Sequence, residues 1–438
     1  MRAQARLGHP YGLTPYHIIR GVAMARLYEY QGKRLLKAVG VPVPEGDVAS
    51  TPQEARTIAE RIGKPVAVKA QIWATGRFKA GGIKFADDPS EAEKAATELL
   101  GAAVKGFPVE KVLVEEKLDF DREYYVGVIV DDSYKVKGPA VIFSTEGGVD
   151  IEEVAATHPE KISRLNVNIL RGFRLYDAYN LALAVGVKGA LLDPIGKAIL
   201  GAYELFKRCD ARSAEINPLV LTADGKVYAA DCRVSVDDAS VVRHPELGIT
   251  VPRESDSPPT EFDRIAWKIE ENDYRGVCFL VQMAPDTEEG GYIGYHAIGG
   301  GGALLAADTL VRHGLKLANY ADTSGNPTAA KVYRCAKLIL SQPGLEGYCL
   351  LGAVIASQDQ SHHAHGLVKA FREELADRPG FPVVILIAGN KEEEALEILR
   401  EGLKDLPICL ELYGREYIHK LDSVAERMKA LVEEHRMP

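Results

Sequence analysis

Glu215, Asn217 and Asp231 carry the most pointed chemistry in this sequence. They lie in Ser213–Ser240, which reads S-A-E-I-N-P-L-V, L-T-A-D-G-K-V, Y-A-A-D-C-R-V-S-V-D-D-A-S. Leu219, Val220 and Leu221 form a short apolar run expected to be a buried strand. Asp224-Gly225 predicts a two-residue turn with positive φ at its centre, and Val227 to Ala230 is the returning strand. Such a hairpin sets Asn217 and Asp231 on neighbouring strands. An amide oxygen beside a carboxylate is a hard-oxygen pair suited to Mg²⁺, which commonly bridges to phosphates. Glu215 precedes Asn217 by two residues, so on a regular strand it faces the same side. A surface hairpin with ordinary polar ends accounts for these residues about as well when they are taken alone.

Two further stretches add positive charge. Val66-Ala67-Val68-Lys69-Ala70 is an apolar strand with one lysine. A buried ammonium is costly without a partner, so Lys69 either reaches nucleotide phosphates or sits at an edge and snorkels to solvent. Thr75 to Gly82, T-G-R-F-K-A-G-G, sets Gly76, Arg77 and Phe78 in a glycine-flanked loop. Such a loop can lay backbone N–H groups and cations over phosphate oxygens. It lacks the G-K-[ST] spacing of a Walker loop, and a plain surface loop is the simpler reading. Glu115 lies near the end of the strand Lys111–Glu116. Glu123 opens the strand Arg122–Val130, where it meets a ribose hydroxyl or Lys69, or stays a solvated edge charge.

The elements that must position these groups are legible in outline. Tyr28–Val39 has helical periodicity and stops at Gly40. Thr51-Pro52-Gln53-Glu54 is a capping box with proline at the first helical position, for a helix running to Ile62 and ending at Gly63. Leu181–Arg208 is mostly helical. Pro252–Asp263 is proline-rich and charged, as expected of a linker between domains at 24–251 and 264–438. Beyond it, apolar strands such as Tyr348–Ala356 and Pro382–Ala388 alternate with helices, which predicts a doubly wound parallel sheet. Gly299 and Gly300 precede a helix and permit close approach of an anion. Asn326-Pro327 reads as a helix start. Ser357 leads into a helix bearing His362, His363 and His365. No cysteine or carboxylate stands at zinc-site spacing from them, so they read as a solvated helix start. Alternatively, that helix dipole stabilises a phosphoryl group.

Composition excludes several classes. The net charge of −9 over 438 residues argues against a nucleic-acid partner held by a broad basic surface. The six cysteines show no C-x-x-C pair, as expected of reduced thiols in a cytosolic, cytoplasmic protein without a zinc site. No apolar run reaches membrane-span length, and the longest, Phe381–Ala388, suits a buried parallel strand. Residues 1–23 carry Arg2, Arg6 and Arg20 without an acid or a long apolar core. A secretory signal is not expected there, but an upstream start or a loosely held tail.

Several motifs recur in a familiar order: Y-E-Y-Q-G-K at 28–33, V-K-A-Q at 68–71, G-R-F-K-A-G-G at 76–82, L-V-E at 113–115, R-E at 122–123, S-T-E-G-G-V-D-I-E at 144–152 and E-I-N-P-L-V at 215–220. Together they resemble the β subunit family of succinyl-CoA synthetase, with the matching parts of citryl-CoA synthetase large subunits and ATP-citrate lyase. The resemblance covers nearly the whole chain from Met24. It implies an α/β fold: an N-terminal ATP-grasp domain, then a flavodoxin-like, doubly wound parallel-sheet CoA-ligase domain.

Carried over residue by residue, the resemblance implies that Lys69 contacts the phosphates of ATP (or GTP). Gly76, Arg77 and Phe78 would cover them. Glu115 and Leu118 would lie at the adenine, and Glu123 near the ribose or phosphates. Asn217 and Asp231 would hold Mg²⁺. Glu215 would steady the phosphohistidine of a partner α-type subunit, at which the helix after Ser357 also points. A-N-Y-A-D-T-S-G-N-P at 318–327 is similar to a family segment of the second domain, and Gly299 and Gly300 would serve the carboxylic acid substrate.

Three departures stand out. Phe78 replaces a glycine and would narrow the loop. Ile298 stands where succinate-binding relatives have asparagine. No arginine occurs in Ile385–Asn390. The glycine run at 299–302 and S-G-N-P at 324–327 look closer to the citrate-handling relatives. No histidine lies in the family's G-H-A-G context, which implies that the partner supplies both the phosphohistidine and the CoA site, in an α2β2 assembly. A non-catalytic homologue that only binds the partner, and a stand-alone ATP-grasp ligase forming a C–N bond, are the rival expectations.

Overall fold

The computed structural model describes residues 24–74, 76–133, 136–149, 151–249, 259–271, 273–284, 290–352 and 355–436. The expectations for residues 1–23, Thr75, the linker up to residue 258 and the Ser357 side chain fall outside what is described. The chain divides into two compact units, one ending at Pro258 and one beginning at Pro259. A helix already starts at Glu261 and buries Asp263, so the last residues of the expected linker are ordered structure.

The first unit is built on two antiparallel sheets. The smaller has the order β2-β7-β3-β4, with β2 Gly46–Ala49, β3 Val66–Ala70, β4 Ile83–Ala86 and β7 Val112–Glu116. Between β4 and β7, Ala103–Val104 and Phe107–Pro108 form a short hairpin, β5 and β6. Thr51 caps the helix Pro52–Ile62 by accepting from the Glu54 N–H, and Gly63 closes it in the left-handed region, as glycine allows without strain. That helix and Pro89–Leu99 bury their apolar stripes, Ala55, Ile58, Ala92 and Ala96 among them, on the sheet.

The larger sheet runs β1-β13-β11-β8-β9-β10, with β12 added beside β11. Its strands are β1 Met24–Arg26, β8 Phe120–Asp131, β9 Gly138–Ser144, β10 Ile162–Asn166, β11 Ala211–Thr222, β12 Val227–Ala229 and β13 Arg233–Asp237. The mostly helical stretch Leu181–Arg208 is the end of the helix Leu175–Ala184, a short break, and the helix Leu192–Arg208. Both pack on Val126, Val128, Phe143 and Ile216.

The second unit is a six-stranded sheet in the order β14-β16-β15-β17-β19-β21. The strands are β14 Phe279–Gln282, β15 Tyr292–Ile298, β16 Lys316–Asp322, β17 Leu345–Gly352, β19 Pro382–Leu386 and β21 Cys409–Tyr413; β18 Ile355–Asp359 and β20 Gly389–Asn390 form a separate small pair. All neighbours in the six-stranded sheet are parallel except β14 and β16. Taking β15 as the first parallel strand, the order is 2-1-3-4-5, the flavodoxin-like winding. Tyr348 and Leu350 face one core and Cys349 and Leu351 the other, because successive side chains alternate across a strand. Burial on both faces is why these strands read as unbroken apolar runs.

Candidate functional site

The 217–231 hairpin forms, with a different turn. Leu219 pairs with Ala229 and Leu221 with Val227. The Thr222 N–H donates to the Lys226 carbonyl, and the Gly225 N–H to the Thr222 carbonyl. The loop therefore has three residues, and only Gly225 takes positive φ, at 79°. The two-residue turn is thus replaced by a tight turn closed on glycine. The Ala230 N–H donates to the Pro218 carbonyl at 3.0 Å, which leaves Asn217 and Asp231 as the next opposed pair. Asn217 Nδ2 donates to Glu215 Oε1 at 3.1 Å, so the two share a face as their spacing requires. Asn217 Oδ1 accepts the Gly148 N–H at 2.7 Å, which ties the S-T-E-G-G stretch to the hairpin.

Lys69 is not an edge residue. β3 lies between β7 and β4, and the side chain is buried. Its Nζ lies 2.6 Å from Glu115 Oε1 and 3.1 Å from Glu29 Oε1. It also donates to the Ala230 carbonyl at 2.7 Å. Burial opposes its charge, but Glu115, Glu29 and Asp231 outweigh that and raise it above the ordinary lysine range. Its carboxylate partners are therefore Glu29 and Glu115, and not Glu123. Glu123 is half-buried, pushed upward by desolvation, and lies against Gly148.

Arg77 also turns inward. Its Nη2 lies 2.7 Å from Glu29 Oε2 and 2.8 Å from Asp231 Oδ2, and its Nη1 donates to the Ala70 carbonyl at 3.0 Å. Asp231 Oδ1 accepts the Cys232 N–H at 2.7 Å. Phe78 points the other way and is 64% exposed, near Phe85. The expectation that its ring narrows the loop is thereby overturned.

Glu29 and Lys33 complete the cluster, although the sequence motifs give neither of them a role. They sit on the helix Glu29–Ala38, whose buried stripe is Glu29, Gly32, Lys33 and Leu36. The signal was available: charges at i and i+4 on the stripe that should be apolar. Lys33 Nζ lies 2.6 Å from Glu115 Oε2 and 2.8 Å from Glu29 Oε1, and it donates to the Ala230 carbonyl at 2.7 Å. Burial pushes the Glu29 carboxyl up, but Arg77, Lys33 and Lys69 hold it well below the carboxylate range.

In the second unit, the C-terminal ends of β15 and β17 flank the switch point where ligands of such sheets commonly bind. Ile298 ends β15 fully buried in the core. Gly299 takes a φ of 99° ahead of the helix Gly300–Arg312. The Gly300 N–H donates to Asp322 Oδ2 at 3.2 Å, and burial raises the Asp322 carboxyl. Asp359 caps the helix Gln360–Glu374 through the Ser361 N–H at 3.0 Å. Burial works against the Asp359 charge, but Ser361 and Lys391 bring its pKa down to about 2. Both helix starts expected to receive an anion thus already hold a carboxylate of the chain. The helix start at Gly300 is already occupied by Asp322.

Two sequence expectations fail in this unit. Asn326-Pro327 does not start a helix: Thr328 caps Ala329–Leu340, and Asn326 Oδ1 accepts the Asp359 N–H. The histidines are not all solvated. His363 is fully buried, with Nε2 2.9 Å from Thr323 Oγ1, and that hydroxyl is 2.6 Å from His296 Nε2.

Family comparisons agree with this architecture. A family model described as ATP-grasp domain matches residues 26–221, and one described as ATP citrate lyase citrate-binding matches 286–428. The chain is 38% identical over 375 residues to the GDP-forming succinate–CoA ligase subunit beta of Thermus thermophilus, covering 85% of this chain and 93% of that protein. The chain belongs to the succinate–CoA ligase β-subunit family. An ADP-forming member from Methanothermobacter thermautotrophicus is 38% identical over 86% of this chain and 94% of its own length. The fold also matches a structure of ATP citrate lyase from Methanothrix soehngenii in complex with citrate and coenzyme A. That match has a TM-score of 0.70 and 20% identity, covering 92% of this chain and 100% of that one.

As a member of this family the chain is an ATP-grasp, acid–CoA ligase β-type subunit. In the structure Asn217 Oδ1 holds the Gly148 N–H, and the Asp231 oxygens hold Arg77 and the Cys232 N–H. By chemistry, an amide oxygen and a carboxylate are a donor pair that suits Mg²⁺ shared with phosphate. Among the described residues no group of three or more His, Cys, Asp or Glu side chains could hold a metal, and Mg²⁺ commonly uses one or two protein oxygens with substrate phosphates. The Asp231 side chain is 33% exposed, so it remains reachable from solvent. Among the described residues, no helix is long and apolar enough to cross a membrane.

Proposed function

We propose that this chain is the nucleotide-binding subunit of an ATP- or GTP-dependent acid–CoA ligase. In this reading the nucleotide phosphorylates a histidine of a partner α-type subunit, in an α2β2 assembly of the cytoplasm. The phosphoryl group then passes to a small carboxylic acid, and CoA displaces phosphate. The observation that carries the reading is the convergence of Lys69, Arg77 and Asp231 in one buried ionic cluster, with Asn217 opposite Asp231.

Each group has a role in that chemistry. Lys69 and Arg77 exchange some of their carboxylate contacts for phosphate oxygens and neutralise charge there, which is positioning and electrostatics rather than covalent catalysis. Gly76 and Phe78 would cover the phosphates with their backbone N–H groups, beside the Arg77 guanidinium, while the Phe78 ring stays outside. Asn217 and Asp231 would hold Mg²⁺, which supplies charge neutralisation on the phosphates when bound. Glu215, held by Asn217, steadies the partner's imidazole. Glu123 meets the ribose or phosphates, and Leu118 the base. Glu115, expected at the adenine beside Leu118, is buried on Lys33 and Lys69 instead, so in this reading it orders the cluster and does not meet the base. Gly299 and Gly300 would serve the acid, and the helix after Ser357 would point at the partner's phosphohistidine. Succinate and citrate are the first acids to test, since the relatives carry the first name and the second-half family model the second.

The test is co-expression with the partner subunit and an assay of ADP release over a panel of acids. Acid- and CoA-dependent release, lost in Asp231→Ala, is the expected result. Full activity in Asp231→Ala would remove the metal role. Absence of metal-dependent heat with Mg-ATP in calorimetry would favour the non-catalytic homologue.

A further inference from the structure

We propose that Glu29 is a positioning residue for the nucleotide: its buried carboxylate fixes where the Lys69 ammonium and the Arg77 guanidinium stand relative to each other. The inference rests on the reading above, in which those two cations meet the phosphates.

Three cations and three carboxylates make up the cluster, and their contacts are unequal. Arg77 touches Glu29 and Asp231, and the two lysines touch Glu29 and Glu115. Glu29 is thus the one carboxylate that all three cations share. Its Oε1 serves the lysines and its Oε2 the arginine, so a single planar group sets the spacing between them.

Glu29 is itself held by rigid structure. It is the first residue of its helix, and Lys33 braces it from one turn on. A Cβ at Gly32 would stand 2.7 Å from Cys232 Sγ, so this helix packs against the Cys232 segment closely enough to need glycine there. The Tyr30 N–H donates to Gln71 Oε1, and Gln71 Nε2 donates to the Lys69 carbonyl. The helix start and the lysine strand are therefore tied by backbone as well as by charge.

Loss of Glu29 leaves each cation other partners. Lys69 keeps Glu115 and the Ala230 carbonyl, and Arg77 keeps Asp231 and the Ala70 carbonyl. What disappears is the link between the strand lysine and the loop arginine. The defect should therefore appear in nucleotide parameters rather than in acid or CoA binding.

The experiment uses the full chain with its partner subunit, and compares wild type, Glu29→Gln, Glu29→Asp and Lys69→Gln. Mg-ATP affinity is read by calorimetry, and KM by steady-state assay for nucleotide and acid separately. Glu29→Gln is expected to raise the nucleotide Kd and KM by about tenfold or more, the loss tied to one charge-assisted hydrogen bond. The acid KM stays unchanged, and Glu29→Asp recovers part of the loss. Unchanged nucleotide binding in Glu29→Gln, or an equal loss in nucleotide and acid parameters, overturns the proposal. If Glu29→Gln does not fold, wild-type nucleotide parameters in Glu29→Asp overturn it. Retained nucleotide binding in Lys69→Gln would instead sink the reading beneath it, whereas loss there with none in Glu29→Gln sinks the positioning role alone.

Discussion

Arg77 Nη2 donates to Asp231 Oδ2 at 2.8 Å across 154 positions of sequence. A cation of the glycine loop thus sits on the carboxylate proposed for the metal. Arg77→Met should free that carboxylate. Divalent cation affinity without nucleotide should rise by about tenfold, or about 1.4 kcal/mol, while Mg-ATP affinity falls. Titration with Mn²⁺ followed by electron paramagnetic resonance measures the first effect. Unchanged Mn²⁺ affinity would mean that the arginine does not compete.

Lys33 and Glu115 form a pair with side chains only 6% and 3% exposed. Lys33→Met leaves Glu115 paired with Lys69, and Glu29 with Lys69 and Arg77, so no carboxylate is stranded. The cost in denaturant unfolding should be about 1.5–3 kcal/mol, that of buried charge-assisted bonds. Lys33→Met/Glu115→Leu should cost clearly less than the sum of the single changes. Strict additivity would show that the two charges are not coupled.

Gly147 and Gly148 predict unequal effects. A Cβ on Gly147 would stand 2.5 Å from the Tyr124 carbonyl oxygen, which is backbone and cannot step aside. On Gly148, at a φ of +69°, it would meet only the Glu123 carboxylate, at the end of a flexible side chain. Gly148→Ala should cost about 1 kcal/mol from its left-handed φ, and Gly147→Ala clearly more. Gly148→Ala should in addition weaken nucleotide binding, because its N–H holds Asn217. Thermal unfolding and calorimetry separate the two effects, and equal melting losses would contradict the backbone clash.

His363 gives a pH dependence. Burial, opposed only in part by the Thr323 backbone, lowers its pKa to about 3, whereas an unfolded histidine titrates near about 6.5. Between those values the unfolded chain binds a proton that the folded chain refuses. Stability is therefore complete above the unfolded value and falls as pH drops toward the folded one, by up to about 1.4 kcal/mol per pH unit. Denaturant midpoints across that range should show a shallower slope in His363→Gln. An unaltered slope would place the proton uptake elsewhere.

Much of the chemistry was legible because it is local. A lysine in an apolar strand signals a buried charge in need of a partner. Asp-Gly between apolar runs signals a hairpin, and two-residue spacing puts Glu215 and Asn217 on one face. Alternating apolar strands and helices predict the parallel sheet, and the 2-1-3-4-5 order agrees. The capping of Pro52–Ile62 by Thr51 was equally readable. Asn326-Pro327 misled because Thr328, one residue on, offers a hydroxyl to the same helix start.

The sequence by itself determined that Lys69 needs a counter-charge if its strand is buried, and that Asn217 and Asp231 meet across a turn. Only the tertiary structure decided that the counter-charges are Glu29 and Glu115, that Arg77 faces inward while Phe78 does not, and that Asp322 already occupies the glycine-rich helix start. The reason is desolvation. It obliges a buried charge to find a partner but does not name one. Apart from Glu29–Lys33, one helical turn apart, and the Ala70 carbonyl on Arg77, the partners of this cluster come from 40 to 197 positions away, a choice made by how the helix Glu29–Ala38 packs and not by spacing along the chain.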